Sequence, residues 1–493
     1  MEQSDNKLKL DEQLVKVVLD DKTSLEARIK KVKFLVRIGA DVNANLYGKS
    51  VLSIAIEKER EEEFLEVLRS VGAKEYVMSD EERLILGRDF WDDDNKIKDA
   101  NEVEKIIKKG ASVEACNFYD DKALHSAVMN DDEKLVELLL KNGADVHQKD
   151  VFSRTPLMMS ATRKNEKIFS MLLEANADIN ICDKDKDNAL MYAIREDNLF
   201  GVKKLIEYGA DILHKNKNGI SALMFSASSC DIDMVKLLLK NGAKVKQKSK
   251  VGMTALMFAV SSGNDYDVID LLLKNGENAK AKSKDGKTAL FYATLRDRKD
   301  LVELLISNGA DVNADSGNLF ALQMASSGGK ADMVELLYKH GADLNKQNDE
   351  GMSALMEASS EGYLKVVDYL IKNGAKVNLK NSYDETALMF AARRGQISVV
   401  HYLMKNGADV NVVDNHGNSA LLLAVLRGRD KVVSMLLNGG ADINVVNNDG
   451  ESAYVIAFAE KHTAVLNVLE KHKKKLKNKN FNLGQNFINY GRD

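Results

Sequence analysis

Proline is nearly absent from this chain, with 1 residue in 493, against an average usage near 5%. This excludes a proline-rich linker, a collagen helix and a mucin-like stalk. Three cysteines are too few to cross-link so long a chain into a disulfide scaffold. No apolar run approaches the roughly 18 residues of a membrane-spanning helix. An excess of one charge is also lacking, since 71 basic and 75 acidic residues leave a net charge of −4. The chain therefore has no bulk attraction to nucleic acid or to an anionic membrane.

A period of about 33 residues runs along the sequence and is marked by Gly-Ala-Asp or a close relative. The marker glycines are Gly39, Gly72, Gly110, Gly143, Gly209, Gly242, Gly276, Gly309, Gly341, Gly374, Gly407 and Gly440, with Asn176 in the vacant slot. A second marker, SALM or TALM, keeps the same spacing from residues 221, 254, 353 and 386. Length alone suggests three or four globular domains, but two markers in register predict one long array of repeats.

One repeat, residues 381–413, shows how the unit folds. It opens with polar turn residues and reaches Thr386, whose hydroxyl is a candidate N-cap. Apolar residues then recur at spacings of three and four, which predicts a helix that ends at Gly395. A second amphipathic segment ends at Gly407, again with a glycine positioned to cap. Each unit is therefore predicted to be a turn followed by two helices, which bury their apolar faces only when repeats stack.

The order turn–helix–helix and the pattern T-x-L-x-x-A…LLL…GADVN resemble the ankyrin repeat. The resemblance covers about fourteen units, from about Leu10 to Lys477. It implies an all-α fold, an α-solenoid of helix–loop–helix units joined by turns that resemble β-hairpins. One departure is consistent: alanine replaces the proline of the family's T-P-L-H motif in nearly every repeat. Pro156 retains the proline of that motif, and His125 retains its histidine.

The same register predicts the organisation of the chain. A lead at 1–9 precedes an N-terminal capping repeat at 10–45, the array at 46–446, a C-terminal capping repeat at 447–478 and a flexible tail at 479–493. An irregular repeat with an insertion at 79–116 contains Trp91 and the acidic run Asp92–Asp94. Asn176 replaces a capping glycine, and asparagine tolerates the left-handed conformation.

Several short segments resemble catalytic or metal-binding motifs but lack residues that those motifs require. Gly286-Lys287-Thr288 lacks the earlier glycine of a phosphate loop, because position 281 is alanine. The run from Asp183 to Asp187 resembles a calcium loop, but Asn188 and Ile194 stand where glycine and glutamate are needed. Cysteines and histidines show no metal-ligand spacing. We therefore expect no catalytic residue, no cofactor, no metal and no small-molecule substrate, so the chain is not predicted to be an enzyme.

In the ankyrin family the turn tips and the ends of the first helices line a concave groove. Matching the register to that groove gives a set of aromatic, methionine, histidine and arginine side chains typical of interface anchors. They are Phe118, Tyr119, Met129, Phe152, Arg154, Arg163, Met352, Tyr383, Arg393, Arg394, His416 and Arg427. The first six and the last six form two groups, each a candidate partner site; scattered apolar surface is the alternative interpretation.

Ten lysines lie on three consecutive turns between those two groups, and we call them the lysine ridge. They are Lys215, Lys217, Lys244, Lys246, Lys248, Lys250, Lys280, Lys282, Lys284 and Lys287. The ridge could bind an acidic protein segment, or it could be an ordinary solvated edge. Aromatic residues that would stack on bases are not interleaved there, which disfavours single-stranded nucleic acid.

These observations predict a non-catalytic scaffold or adaptor that binds a protein partner in the groove. The alternatives are an electrostatic binder of an acidic partner through the lysine ridge, a targeting or inhibitory subunit of a separate enzyme, and an exported effector. The polar N-terminal segment lacks the apolar core of a secretory signal, which favours the cytoplasm and leaves leaderless export open. Capped ends favour a monomer.

Overall fold

A computed structural model of the chain shows an all-α protein that belongs to the predicted fold class. It describes residues 13–14, 17–18, 23–37, 40–43, 50–57, 60, 62–73, 90–91, 96–116, 122–229, 231–263 and 265–489, with side chains to 476 in the last helix. These residues form 26 helices and no strand beyond isolated antiparallel bridges such as Cys182 with Asn188. Two compact units, Met1–Lys217 and Asn218–Asp493, divide the chain.

The first unit contains ten described helices. They are α1 (Leu25–Arg37), α2 (Val51–Glu57), α3 (Glu62–Ser70), α4 (Ala100–Lys108), α5 (Ala123–Met129), α6 (Glu133–Lys141), α7 (Pro156–Ala161), α8 (Glu166–Glu174), α9 (Ala189–Arg195) and α10 (Leu199–Glu207).

The second unit contains sixteen described helices. They are α11 (Ala222–Ser228), α12 (Ile232–Lys240), α13 (Ala255–Ser262), α14 (Tyr266–Lys274), α15 (Ala289–Leu295), α16 (Lys299–Ser307), α17 (Ala321–Ser327), α18 (Ala331–Lys339), α19 (Ala354–Glu361), α20 (Leu364–Lys372), α21 (Ala387–Arg394), α22 (Ile397–Lys405), α23 (Ala420–Leu426), α24 (Asp430–Asn438), α25 (Ala453–Ala459) and α26 (Thr463–Asn489).

Most first helices start at a side-chain cap. The Thr254 hydroxyl accepts the backbone N–H of Met257 at 3.4 Å and satisfies one free donor of α13. Thr386 holds the equivalent N-cap position of α21 as predicted, but its buried hydroxyl has no hydrogen-bond partner. At the other end of α21, Gly395 adopts φ +83° and closes the helix in the left-handed conformation, as the sequence predicts. Asn176 does the same after α8 with φ +60°.

Repeats stack through two layers of helices. First helices pack on first helices, as α5 does on α7 and α7 on α9, and the same layer runs from α11 through α25 in the second unit. Second helices pack likewise, as α20 does on α22. Alanines such as Ala193 and Ala259 are completely buried between first helices. Because alanine has no side chain beyond Cβ, neighbouring backbones approach closely enough to close the core.

Glycine permits the close approach of one hairpin turn to the next in the second unit. The amide of Ser382 donates to the carbonyl of Glu350 at 3.0 Å. Gly351 lies at this contact with φ +75°, and a Cβ there would be 2.5 Å from the Ser382 nitrogen. The turn therefore requires glycine for both its backbone angle and its contact with the next hairpin.

Asparagine side chains join consecutive repeats at the residue that follows Gly-Ala-Asp-Val in the family pattern. Asn378 donates to the carbonyl of Gly407 at 2.9 Å and accepts the amide of Asp409 at 2.9 Å. The same two bonds recur at three further positions, and we call the set the asparagine ladder. Its members are Asn313, Asn345, Asn378 and Asn411. Each member therefore ties its repeat to the next one.

The last repeat, which the sequence predicts to cap the array, exposes two apolar side chains. Val455 and Phe458 of α25 are 51% and 77% exposed. In the preceding repeat the equivalent residues, Leu422 and Val425, are completely buried, because the next first helix packs over them. Helix α26 also continues to Asn489, into the segment expected to be a flexible tail. Its sequence contains no proline, and Gly484 is its first glycine, so nothing earlier breaks the helix.

The insertion contributes buried aromatic residues to the first unit. Phe90 and Trp91 are both buried, with ring centroids 6.0 Å apart. Trp91 pairs with Ile97 in an antiparallel bridge. The insertion therefore packs two aromatic side chains into the interior. The acidic run Asp92–Asp94 lies outside the described residues.

Candidate partner-binding surfaces

A preorganised hairpin carries two of the predicted residues in the first unit. Phe152 is 60% exposed at the turn, and the Arg154 guanidinium lies over its ring at 4.9 Å. Asp150 holds this arrangement, because its carboxylate accepts Nε of Arg154 at 2.7 Å and the amide of Phe152 at 2.9 Å. The Arg154 carbonyl is bonded in turn to Nε2 of His125 at 3.0 Å. The aromatic ring and the cation are therefore presented together.

The neighbouring first-unit residues are held differently. Met129 ends α5 with its side chain exposed. Arg163 donates to the Met129 carbonyl, and its Nε lies 3.8 Å from Asp131. The Arg163 side chain therefore uses part of its hydrogen-bonding and charge on contacts within its own unit. Phe118 and Tyr119, the other two predicted residues of this group, lie outside the described residues.

In the second unit the side chain of Tyr383, a residue of the predicted group, is 52% exposed. The Asn381 carboxamide accepts its backbone amide at 2.9 Å, and the Tyr383 carbonyl accepts the amide of Asn415 at 3.0 Å. The backbone under the ring is therefore fixed from both sides. Met352 is half-buried, and its sulfur accepts from Nδ2 of Asn381 at 3.7 Å.

Arg393 and Arg394 end α21 in different environments. Arg393 forms an ion pair with Glu385, and its guanidinium lies 5.0 Å from the Phe390 ring centroid. Arg394 is more exposed and lies 3.8 Å from Glu361. Arg393 is thus held in place, whereas Arg394 keeps most of its donors in water.

His416 and Arg427 complete the predicted set. His416 is exposed at the next hairpin, where its amide donates to Asp414 at 2.9 Å and its carbonyl accepts from Asn448 at 2.9 Å. Arg427 is exposed at the C-terminus of α23. Both side chains are therefore exposed, one at a hairpin and one at a helix end.

An aromatic row on the first helices was missed from the sequence. The row comprises the fourth residue of four first helices in the second unit, Phe225, Phe258, Tyr292 and Phe390, each half-buried. The contacts of Arg393 with Phe390 and Glu385 show that this position shares a surface with the turn and the helix end. The signal was available, because this residue falls outside the apolar stripe that packs into the core.

The lysine ridge is divided between the two units, with Lys215 and Lys217 in the first and the other eight lysines in the second. In the first unit Lys215 is half-buried, and Lys217 lies exposed with Nζ 3.8 Å from Asp185. In the second unit two lysines reach the following hairpin. Lys248 donates to the carbonyl of Lys282 at 3.0 Å, and Lys282 donates to that of Asp315 at 2.7 Å. These two side chains therefore join hairpins.

The remaining second-unit lysines of the ridge project from two adjacent hairpins, 243–253 and 277–287. The amide of Lys284 donates to the carbonyl of Val251 at 2.9 Å, which brings the hairpin tips together. Lys287 pairs with Asp285 at 2.9 Å. Five others are exposed and form no ion pair among the described residues. They are Lys244, Lys246, Lys250, Lys280 and Lys284.

Beneath these lysines lies an acidic residue in an unusual position. Glu277 occupies the slot that holds a buried alanine in later repeats, such as Ala310 and Ala342, and is itself only 7% exposed. Its Oε1 accepts the amide of Asn278 at 3.3 Å, and its Oε2 is buried without a hydrogen-bond partner. Burial raises the pKa of Glu277 to about 7, against the opposing effects of hydrogen bonds and of Lys248 and Lys246.

A cysteine and a histidine meet in the first unit without forming an activated pair. Sγ of Cys182 lies 3.5 Å from Nε2 of His214, which is also bonded to the Lys186 carbonyl at 2.7 Å. Burial and the nearby Asp183 raise the pKa of the Cys182 thiol. Because a nucleophilic cysteine needs a lowered pKa, this geometry does not favour thiolate chemistry.

The described residues also bear on metal binding and on membrane insertion. No group of three or more histidine, cysteine or acidic side chains could hold a metal ion within that part of the chain. None of the described helices combines the length and apolar character needed to cross a membrane.

Comparison with known families agrees with this architecture. The family model described as ankyrin repeats (3 copies) matches residues 124–216, 202–283, 223–316, 315–381 and 388–481. These matches cover more than half of the chain, and the chain therefore belongs to the ankyrin repeat family. No curated protein matches it significantly. Ankyrin repeats are modules of protein–protein interaction and are typically not catalytic.

Proposed function

We propose that the chain is a non-catalytic scaffold whose second unit binds a protein partner on the face of its first helices and hairpin tips. The observation that carries the proposal is the aromatic row, which has half-buried rings on three successive first helices, α11, α13 and α15, and again on α21. Such rings offer large contact area at low entropic cost. Tyr383 and Arg394 extend that face with an exposed ring and a cation. The hairpin of Phe152 and Arg154 offers a similar surface in the first unit.

Affinity capture from the source cell's lysate tests this proposal. The test variant carries Tyr383→Ala, Arg393→Ala and Arg394→Ala. A matched variant carries Lys365→Ala, His401→Ala and Lys431→Ala, three exposed residues of the second helices in the same region. Partners held by wild type and by the matched variant, but lost by the test variant, would support the first-helix face. Equal capture by the test variant, with unchanged circular dichroism, would refute it.

A second candidate function is electrostatic binding of an acidic protein segment by the lysine ridge. Five exposed lysines without ion pairs on two joined hairpins of the second unit favour it. Binding of this kind weakens steeply between low and high salt, because ions screen exposed charges. A complex insensitive to salt would argue against it.

Either surface would also serve a targeting or inhibitory subunit of a separate enzyme, or an effector exported into another cell. The captured partner distinguishes these roles. Capture of an enzyme whose activity changes on binding supports the subunit, and capture only from another cell's lysate supports the effector.

A further inference from the structure

Glu277 is the one buried carboxylate of the described residues that lacks a full set of partners. Asp187 and Asp414 are also buried. Asp187 is bonded to Arg195 at 2.5 Å and to Asn216 at 3.0 Å, and Asp414 accepts the amides of His416 and Asn418. Oε2 of Glu277, by contrast, is buried and accepts no hydrogen bond. The hydrogen bonds to Glu277 therefore offset only part of the free-energy cost of burying a charged carboxylate.

The surroundings of Glu277 couple it to the lysine ridge. The charged groups that face it are the ammonium groups of Lys246 and Lys248, both on the preceding hairpin. Its other neighbours are the Thr254 hydroxyl and the backbone amide of Asn278. The carboxyl also lies just beyond the C-terminus of α14, where the helix dipole disfavours negative charge. The site thus balances two nearby cations against burial and an unfavourable dipole.

The protonation state of Glu277 therefore determines the local charge of the hairpins. When it is ionised, one unit of negative charge lies beneath the lysines and offsets part of their field. When it is protonated, that negative charge is removed and the buried oxygen no longer needs a strong donor.

We propose that proton uptake by Glu277 strengthens binding of an acidic protein segment to the lysine ridge of the second unit. The inference rests on the ridge function proposed above and adds its regulation. Binding and protonation are linked reciprocally, so an acidic ligand also favours the ionised lysines and the neutral carboxyl. With a pKa of about 7, Glu277 is about nine-tenths protonated at pH 6 and about one-tenth at pH 8.

The experiment uses a fluorescent peptide of twelve aspartates as the acidic segment, titrated with the full chain at pH 6 and pH 8 and constant ionic strength. Wild type is compared with Glu277→Gln and with Glu277→Ala, which restores the residue of neighbouring repeats. Glu303→Gln is the matched control, because it removes an exposed carboxylate of α16 with the same change in formal charge. A ridge variant with Lys250→Ser, Lys280→Ser and Lys284→Ser tests where the peptide binds.

We expect wild type and Glu303→Gln to bind about fivefold more tightly at pH 6 than at pH 8, the effect of one charge at close range in a partly buried site. Both Glu277 variants should bind equally well at the two pH values, at the wild-type level of pH 6. The ridge variant should bind weakly at both.

Failure of the inference and failure of the ridge function have different signatures. Wild-type binding that is equal at pH 6 and pH 8, or a pH dependence shared by Glu277→Gln, overturns the inference alone. Absence of binding by every protein at both pH values overturns the ridge function and the inference with it. A carbon-13 titration of the Glu277 side-chain carboxyl, assigned by its loss in Glu277→Gln, gives an independent check, and a midpoint near 4.5 overturns the inference.

Discussion

Replacing Asn378 with alanine removes one member of the asparagine ladder without touching the core. The residue is exposed, and its carboxamide makes two bonds to the next repeat, to the Gly407 carbonyl and the Asp409 amide, both at 2.9 Å. An average hydrogen bond contributes about 1 kcal/mol net, and water can replace an exposed one. We therefore expect the substitution to lower the free energy of unfolding by about 1–2 kcal/mol.

The repeat before the last offers a matched control. Asn444 holds the same position after Gly-Ala-Asp-Ile, but its carboxamide is bonded only to Asp442 of its own repeat, at 3.3 Å. Asn444→Ala should therefore cost well under half as much. The converse change is Lys280→Asn, which places the ladder residue where the ridge interrupts it. It should stabilise the chain by a similar 1–2 kcal/mol if its carboxamide reaches Gly309 and Asp311.

Two measurements on the full chain test these values. The urea midpoint by far-ultraviolet circular dichroism should fall by roughly 0.5 M for Asn378→Ala if the m-value is about 3 kcal/mol/M. Hydrogen exchange should accelerate at the Asp409 amide, which the side chain protects directly. Equal costs for Asn378→Ala and Asn444→Ala, or unchanged exchange at Asp409, would refute the role of the ladder.

The remaining predictions concern titratable and backbone sites. Glu277→Ala should stabilise the chain by about 3 kcal/mol above pH 7 and by nothing below pH 4.5. The reason is that the raised pKa of the Glu277 carboxyl lowers the stability of the wild type as pH rises from 4.5 to 7. Thermal melts from pH 4.5 to 8 check this, and a stability difference that is independent of pH would contradict it. Burial lowers the pKa of His125, so the unfolded chain protonates first and stability should fall below about pH 6.5. His125→Met should remove that loss, and melts at pH 7 and pH 5 that shift alike in both proteins would exclude it. Gly351→Ala should lower the melting temperature more than Gly374→Ala. Both positions have positive φ, but only at residue 351 would the added Cβ lie 2.5 Å from the Ser382 nitrogen. Equal shifts of the melting temperature would disprove the steric argument.

The repeat period and the helix pattern could be predicted from the sequence because both depend on local chemistry. Caps such as Gly395 and Asn176 require only their own backbone angles, and both adopt the predicted left-handed conformation. The apolar spacing that predicts each helix also marks its buried face. Thr386 shows the limit of this reasoning, since its position is that of a cap but its hydroxyl is unpartnered.

The partners of individual polar residues could not be predicted in the same way. Lys248 and Lys282 look like free surface cations in the sequence, yet each donates to a carbonyl 33 or 34 residues further along the chain. Arg393 is held by Glu385 and Phe390, and this arrangement depends on how the hairpin and α21 meet. The candidate face therefore changed in composition, because the structure adds the aromatic row and ties down several predicted side chains.

The repeating amino-acid pattern alone defines the kind of molecule: a stack of two-helix repeats whose interior is built from a recurring apolar stripe. A pattern repeated at this period admits few other solutions, because each unit can bury its face only against its neighbours. Which departures from the pattern matter depends on how the repeats stack. Glu277 is a single residue that replaces the usual alanine of the repeat. Stacking buries its carboxyl beneath Lys246 and Lys248. The charge of this carboxyl therefore depends on neighbours about 30 residues away in the chain.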